Sequence, residues 1–423
     1  MQGYAVASAP GSAVITKAEK LALAGSSNEL DTAVRPLRSV LGRLFAREDV
    51  GYYLPVPMSS QSAMPSATPP NDLGAHYQKL WDEFQEERRH QILASQPVDV
   101  QEAGLLALLQ RFLWSVPAPG TEDVSLYDFA RVTAALTVCL EDEQSTDEQT
   151  ALLVGADLSG VQDWLYTLSS AGAARSLRGR SVYLQLLMET IAFDLLTYLS
   201  LPSANLLYVG GGNFYLLAPV SAQVQIEQYR ATCGRRLLTM HGGAIYVALA
   251  ATPLSQARLA GADGKIGDAW QQIHSQIAIH KGQRFAELSD EEMAQAIGGA
   301  FDDPGNPEKM CRVCQRVIGE NENYTDLDGT SNIGQERKCA LCNSLEELGV
   351  RLSSAHYLVF THADTPQEHD VDVVHWADGL RRFGFDVDVV KEAKDLPKST
   401  PAQRLRRIYW WHEEDGQKPP DPR

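Results

Sequence analysis

Along the first third of the chain, apolar residues return every three or four positions. Tyr77, Leu80, Trp81 and Phe84, with Glu and Arg between them, predict a helix. The run Gly104–Trp114 predicts a buried helix that stops before Pro117. Ser125–Leu140 predicts another, capped by Asp123 or Ser125. Residues 15–49 also read as helical, in two pieces, Ile15–Ala24 and Val34–Phe45. Residues 54–74 are rich in Pro, Ser and Met and read as an exposed connection.

After the acidic stretch Glu141–Thr150 the pattern changes to strands alternating with helices. Ala151–Ala156 predicts a buried strand and Gly179–Leu199 a helix. Asn205–Val209 and Phe214–Pro219 predict a hairpin around glycines. Ser221–Met240 predicts a helix and Ala244–Thr252 a strand. This β-α-β-β-α-β order is the ferredoxin-like pattern and places the chain in the α+β class. Residues 254–290 read as helical, with Trp270, Ile273, Ile277 and Phe285 on one side. Ala355–Thr361 and Asp386–Val390 read as strands, and Val371–Phe383 as a strand or helix edge.

The expected division is a helical connector over 1–140 and a solvated acidic linker over 141–150. A ferredoxin-like domain follows over 151–298 and a zinc-binding insert over 299–350. An α/β segment covers 351–415, with a disordered tail over 416–423.

Composition narrows the function. The 423 residues are 44% hydrophobic and 22% charged, enough apolar content for more than one core. The net charge of −17 argues against an autonomous, nonspecific nucleic-acid binder. It leaves room for local basic strips such as Arg175, Arg178 and Arg180. No 18-residue apolar run predicts a membrane span, and Met1–Gly25 lacks the pattern of a signal peptide. A cytoplasmic protein is the expectation.

Six cysteines divide into two kinds. Cys139 and Cys233 stand alone in apolar helical patterns and read as buried thiols. Cys311-Arg-Val-Cys314 and Cys339-Ala-Leu-Cys342 form two CxxC pairs. Each CxxC turn points two sulfurs at one place, and two such turns complete a tetrahedron around Zn²⁺. All four positions are then filled, so the zinc is structural. The polar segment Gly319–Gly334 suits a zinc ribbon or knuckle, and Lys309, Arg312 and Lys338 would offset the site's negative charge.

Three stretches carry further chemistry: Asp157-Leu-Ser-Gly-Val-Gln162, Ser176-Leu-Arg-Gly-Arg-Ser181 and Tyr208-Val-Gly-Gly-Gly-Asn-Phe214. They read as a strand entering a Gly turn, a basic helix entry and a Gly-rich hairpin. This is the layout of the palm used by nucleotide cyclases and polymerases. In such palms an acid at the end of the first strand binds Mg²⁺ together with acids on the hairpin. Here Asp157 faces a hairpin of Gly210, Gly211, Gly212 and Asn213, so two-metal catalysis by this chain alone is disfavoured. The glycines admit a phosphate or a neighbouring chain, and Ser159 and Gly160 offer backbone N–H groups at a helix start. The alternative is that the glycines only make a tight turn and Asp157 only caps a helix. Arg175, Arg178 and Arg180 are either a solvated helix entry or a contact to phosphate or RNA. The dipeptide His369-Asp370 lies in a polar run and reads as a surface loop. No Walker loop, GxGxxG fingerprint or Ser-His-Asp order is present.

Together these residues resemble the large subunit of type III CRISPR–Cas effector complexes, in its Csm-type (III-A) form. Val34-Arg-Pro-Leu-Arg-Ser-Val-Leu41 is similar to the helical stretch before that family's first palm. Val124–Ala135 is similar to its "SLYDH…TAA" segment, with Phe129 where His is usual. The three palm stretches and the CxxC pairs also match.

The resemblance implies a scaffold in a ribonucleoprotein with guide RNA and smaller subunits. On binding target RNA, the family makes cyclic oligoadenylates from ATP between two palms with Mg²⁺. Many members also carry an HD nuclease. Neither an HD nuclease before residue 15 nor a Gly-Gly-Asp-Asp palm after residue 400 is seen. The chain is therefore expected to be the middle of the family protein, a split product, degenerate copy or fragment. Residues 351–415 would lead toward a second palm in trans or in a missing segment. The resemblance implies nucleotide contact by Ser159, Gly160 and Gly210–Asn213, and carries over no catalytic acid. The competing readings are a zinc-ribbon nucleic-acid-binding protein and a standalone, degenerate nucleotide-cyclase-like protein.

Overall fold

The computed structural model describes residues 12–22, 34–45, 51–59, 64–91, 98–167, 172–262, 266–294, 310–318, 324–326, 337–363, 375–396 and 405–410. Lys309, His369-Asp370, most of Gly319–Gly334 and the tail 416–423 lie outside them.

The N-terminal part holds α1 (Ser12–Ala22), β1 (Leu37–Arg38), α2 (Leu41–Phe45), β2 (Tyr52–Tyr53), α3 (Leu73–Gln91), α4 (Val98–Leu113) and α5 (Leu126–Leu140). Ser125 caps α5, its hydroxyl oxygen accepting from the Asp128 N–H at 3.0 Å. The helix expected over Val34–Phe45 is found only in its last part, Leu41–Phe45, and is corrected before it. Leu37–Arg38 is extended and pairs antiparallel with Tyr52–Tyr53. Pro36 supplies the reason, since it lacks an N–H and disfavours the helical region for Arg35. Arg35 and Arg38 instead reach the Glu122 carboxylate at 3.0 and 3.2 Å.

The centre holds β3 (Ala151–Ser159), α6 (Val161–Tyr166), α7 (Ala173–Tyr198), β4 (Leu206–Gly210), β5 (Asn213–Ala218), α8 (Gln223–His241) and β6 (Tyr246–Leu254). The strands pair antiparallel in the order β4-β5-β3-β6, the ferredoxin-like arrangement. β3 lies inside the sheet and is covered on both faces. This explains its continuous apolar run, in which only Asp157 is less than buried. α7 begins at Ala173, six residues before the expected Gly179. The three arginines therefore sit within its first turns and do not precede it.

The chain continues through α9 (Gln256–Leu259), α10 (Ile266–Gly282), β7 (Tyr324–Asp326), β8 (Arg337–Cys339) and α11 (Ala340–Arg351). It ends in β9 (Tyr357–His362), α12 (Trp376–Arg381), β10 (Phe385–Val390) and β11 (Leu405–Trp410). The last three strands form a second antiparallel sheet, ordered β10-β9-β11. The segment Val371–Phe383 thus contains a short helix.

Two apolar layers hold the central sheet. On one face, Leu152, Val154, Ala156 and Leu158 pack with α7 and α8. That core runs on into α11 and the β9–β10 strands. On the other face, Leu153, Ala248 and Ala250 pack with Ala18 and Leu21 of α1, Ala135 and Leu136 of α5, and Ile273 and Ile277 of α10. The acidic stretch 141–150 is not a free linker. Asp142 accepts from the Ser221 N–H at 2.9 Å, and the Thr150 N–H donates to the Leu254 carbonyl at 2.8 Å. Its carboxylates cap turns that tie the connector to the sheet. Among the described residues, no helix is long and apolar enough to cross a membrane.

Candidate functional site

Two places bring chemistry-bearing side chains together. The first is the end of the central sheet beside the glycine hairpin. Gly211 and Gly212 have φ of 59° and 81°, the pattern of a type I′ two-residue turn that matches strand twist. Two of the three glycines are thus required by the turn itself. The turn sets Asn213 directly opposite Asp157 across β5 and β3, on the face toward α10. The last turn of α10 carries Lys281, whose Nζ lies 2.6 Å from Asp157 Oδ2. Just beyond, Arg284 donates to the Ser159 hydroxyl at 2.8 Å. Tyr215, paired with Gly155 and edge-on to Trp270 at 4.7 Å, extends this face. Burial raises the Tyr215 hydroxyl above its ordinary range, and the Asp157 and Tyr208 charges add to the effect. The corner therefore holds one carboxylate, one amide, a lysine and an arginine.

Gly160 has a packing role. A Cβ there would stand 1.9 Å from the Ala244 carbonyl oxygen, so the chain after β3 passes against the entry to β6. Its helix, α6, is one and a half turns long and starts without a side-chain cap. With the Ser159 hydroxyl already accepting from Arg284, these two residues are engaged within the protein.

The second place is the cysteine cluster. A parallel bridge between Cys311 and Arg337 brings the two CxxC turns side by side. Sγ atoms of Cys311, Cys314, Cys339 and Cys342 then lie within 4.8 Å of one another. Cys314 and Cys339 Sγ are 3.7 Å apart. Tetrahedral zinc with bonds of about 2.3 Å sets sulfurs about 3.8 Å apart. Backbone N–H groups point at the sulfurs, Cys339 N–H to Cys311 Sγ at 3.3 Å and Cys342 N–H to Cys339 Sγ at 3.5 Å. Cys339 also caps α11, where the helix dipole favours a thiolate. Neighbouring thiols donating to it pull Cys311 far below the ordinary thiol range, whereas Cys342, donating to the others, is pushed far above it. Against the raising effect of Cys311, the Cys314 and Cys342 thiols also lower Cys339, to about 7, so the set divides into two thiols that ionise readily and two that do not. The residues fit zinc in a closed, structural site.

Family resemblance is now testable against this geometry. The family model described as Csm1 subunit domain B matches residues 150–298, which contain β3 to β6 and α10. Curated relatives carry the name CRISPR system single-strand-specific deoxyribonuclease Cas10/Csm1 (subtype III-A). The one from Mycobacterium tuberculosis is 29% identical over 60% of this chain and 34% of its own length. The one from Thermococcus onnurineus is 27% identical over 80% of this chain and 43% of its own. The chain is similar to Csm-type Cas10 subunits.

It spans only 33–43% of the first three of those relatives' length. The fold agrees as well. A crystal structure of a Csm1–Csm4 cassette with one ATP matches at 21% identity and TM-score 0.52, over 77% of this chain and 43% of that one. A cassette with the cyclic oligoadenylate cA3 matches at 19% and 0.53, over 88% and 56%.

The three arginines of the basic strip divide. Arg175 is exposed and pairs with Glu346 at 3.0 Å. Arg178 donates to the Gly349 carbonyl at 3.1 Å. The expectation of an RNA or phosphate contact at Arg180 is corrected, because this residue is 1% exposed and faces Trp164 and Cys342. All three arginines fasten α7 toward the cysteine module. Of the cations expected to offset the cluster, Lys338 is buried and bonded to Glu346. Lys281 and Arg284 were not anticipated. A basic helix end was readable, but its target on β3 exists only once the helix lies across the sheet.

Proposed function

We propose that this chain is the palm-bearing scaffold of a type III-A effector subunit in antiviral defence. Its palm forms one wall of a nucleotide site whose metal-binding acids come from a second palm. One observation carries this reading: Asp157 stands opposite Asn213 and is paired with Lys281 at 2.6 Å. Two-metal phosphoryl transfer needs several carboxylates at one point, and this corner has one, already neutralised. The Gly210–Asn213 turn leaves an open backbone surface, and Lys281 and Arg284 bring positive charge for a triphosphate. ATP and cyclic oligoadenylates bound in structures of the same fold support ATP as the ligand, with Mg²⁺ held by the second palm. The cysteine cluster holds structural Zn²⁺. Csm4, further subunits, guide RNA and target RNA are the partners of the full assembly, in the cytoplasm.

The test is to incubate the purified chain with ATP and Mg²⁺ and analyse products by mass spectrometry. No cyclic oligoadenylate is expected from the chain alone. Product is expected once a palm carrying paired carboxylates is supplied. Product from the chain alone would overturn the reading.

A further inference from the structure

Arg180 is a buried cation without a carboxylate. It lies on α7 at 1% exposure, among the largest fully buried side chains of the protein. Its Nη1 donates to the Trp164 carbonyl at 2.9 Å, and its guanidinium carbon stands 4.7 Å from the centre of the Trp164 ring. Its Nη2 donates to Cys342 Sγ at 3.3 Å. Its Nε has no hydrogen-bond partner.

A guanidinium does not lose its proton in a protein, so it cannot escape burial by neutralising, as a lysine can. A buried charge persists only when it is paired. Beside the Trp164 carbonyl, its hydrogen-bond partner is the sulfur of Cys342, which becomes an anion when it binds a metal. Four thiolates around a dication carry a net charge of −2, which a neighbouring cation stabilises. Two other cations at the module, Lys338 and Arg175, both pair with Glu346.

We propose that Arg180 is the positioning counter-charge of the four-cysteine metal site. It couples metal loading to the first helices of the palm, α6 and α7. The coupling is reciprocal: if Arg180 strengthens metal binding, the metal strengthens the burial of Arg180 by the same factor. Trp164 transmits it, because the guanidinium rests on its ring and holds its carbonyl. The cysteine module, more than 140 residues further along the chain, thereby reports its metal state to the turn after β3.

The experiment uses the full chain loaded with zinc. Arg180→Met removes the charge and keeps much of the volume. Zinc affinity, read by competition with a chromogenic chelator, is expected to fall about 10- to 100-fold, the usual effect of losing a group that supports a metal ligand. Arg180→Lys keeps the charge and loses the fork, and is expected to fall between. Stripping zinc should lower Tm more in the wild type than in Arg180→Met. Equal zinc affinity in Arg180→Met and wild type, with only a lower Tm, would reduce Arg180 to packing and overturn the proposal.

Should Arg180→Met not fold, hydrogen exchange on the wild-type chain decides. Chelation is expected to deprotect residues 161–166 and 173–183 together with 339–345. Deprotection confined to the cysteine module would overturn the coupling.

Discussion

The palm corner and the cysteine cluster treat charge in opposite ways. At the corner, Asp157 and Lys281 neutralise each other at 2.6 Å, with 29% and 32% of their side chains open to water. A pair in that setting contributes no more than about 1 kcal/mol and leaves little attraction for a divalent ion. At the cluster, four sulfurs converge with three of the four cysteines buried, and Arg180 donates to one of them, Cys342. The cluster fits a dication, and metal bound to such a set contributes folding free energy. Similar materials, strand ends and tight turns, thus make one place that tolerates water and another that fits a metal.

The largest effect expected from breaking this contrast is at a cysteine. Cys342→Ser removes a ligand and also leaves Arg180 facing a neutral oxygen. Zinc measured by elemental analysis should be lost, and stability in urea should fall by about 3–5 kcal/mol, the cost of breaking a buried charged pair. A variant that retains both zinc and stability would show the cluster to be dispensable.

Next comes the joint between the two regions. A Cβ on Gly179 would lie 1.7 Å from the Leu345 carbonyl oxygen, and one on Gly349 would lie 1.9 Å from the Arg175 carbonyl oxygen. α7 and α11 thus cross with their backbones touching. Gly179→Ala should cost about 2–3 kcal/mol through forced separation. Its urea midpoint should drop with no loss of the zinc ligands themselves. An unchanged midpoint would mean that the helices do not rely on this contact.

How far the sequence disclosed these regions follows from the range of the interactions. Strand order was legible because β3 is apolar throughout and the Gly-Gly turn fixes its hairpin within a few residues. The cysteines were legible because CxxC spacing is itself local geometry. Arg180 was misread because its neighbours along the chain suggest a solvated helix entry. A helix entry looks solvated until α11, from a distant part of the chain, is seen to cover it. Lys281 was passed over for the same reason: Asp157 is its partner only across the sheet. The first part of Val34–Phe45, before Leu41, was misread more simply. Its helical spacing was given more weight than Pro36, whose backbone chemistry decided the matter.

A third prediction concerns the groups beneath the joint. His241 is buried beside Trp164, with its Nε2 at 3.0 Å from the Tyr183 hydroxyl. Burial, with Arg382 and Arg180 nearby, brings its pKa down to about 3. The folded protein therefore keeps it neutral, while the unfolded chain takes up a proton below about 6.5. This contribution to stability is full above pH 6.5 and is lost as pH falls from 6.5 toward 3. At about 1.4 kcal/mol per pH unit, roughly 2 kcal/mol should disappear between pH 6.5 and 5. Urea midpoints across that range should slope less in His241→Gln. An identical slope in the variant would assign the acid sensitivity elsewhere.

The smallest stability effect is expected where the comparison began. Asp157→Asn and Lys281→Met each break an ion pair about two-thirds buried, and each should cost about 1 kcal/mol or less. Their value lies in what they do to ions. Lys281→Met leaves the Asp157 carboxylate without its cation, so weak Mg²⁺ binding should appear in a calorimetric titration where the wild type shows none. Asp157→Asn should not gain it, and neither variant should gain catalysis, since Asn213 opposite brings no second carboxylate. A loss of several kcal/mol in Asp157→Asn would make the corner a structural charge site like the cysteine cluster, and the contrast between the two would collapse. Tight Mg²⁺ binding by the wild type would break it from the other side, because a carboxylate held by Lys281 would then still be available to a metal.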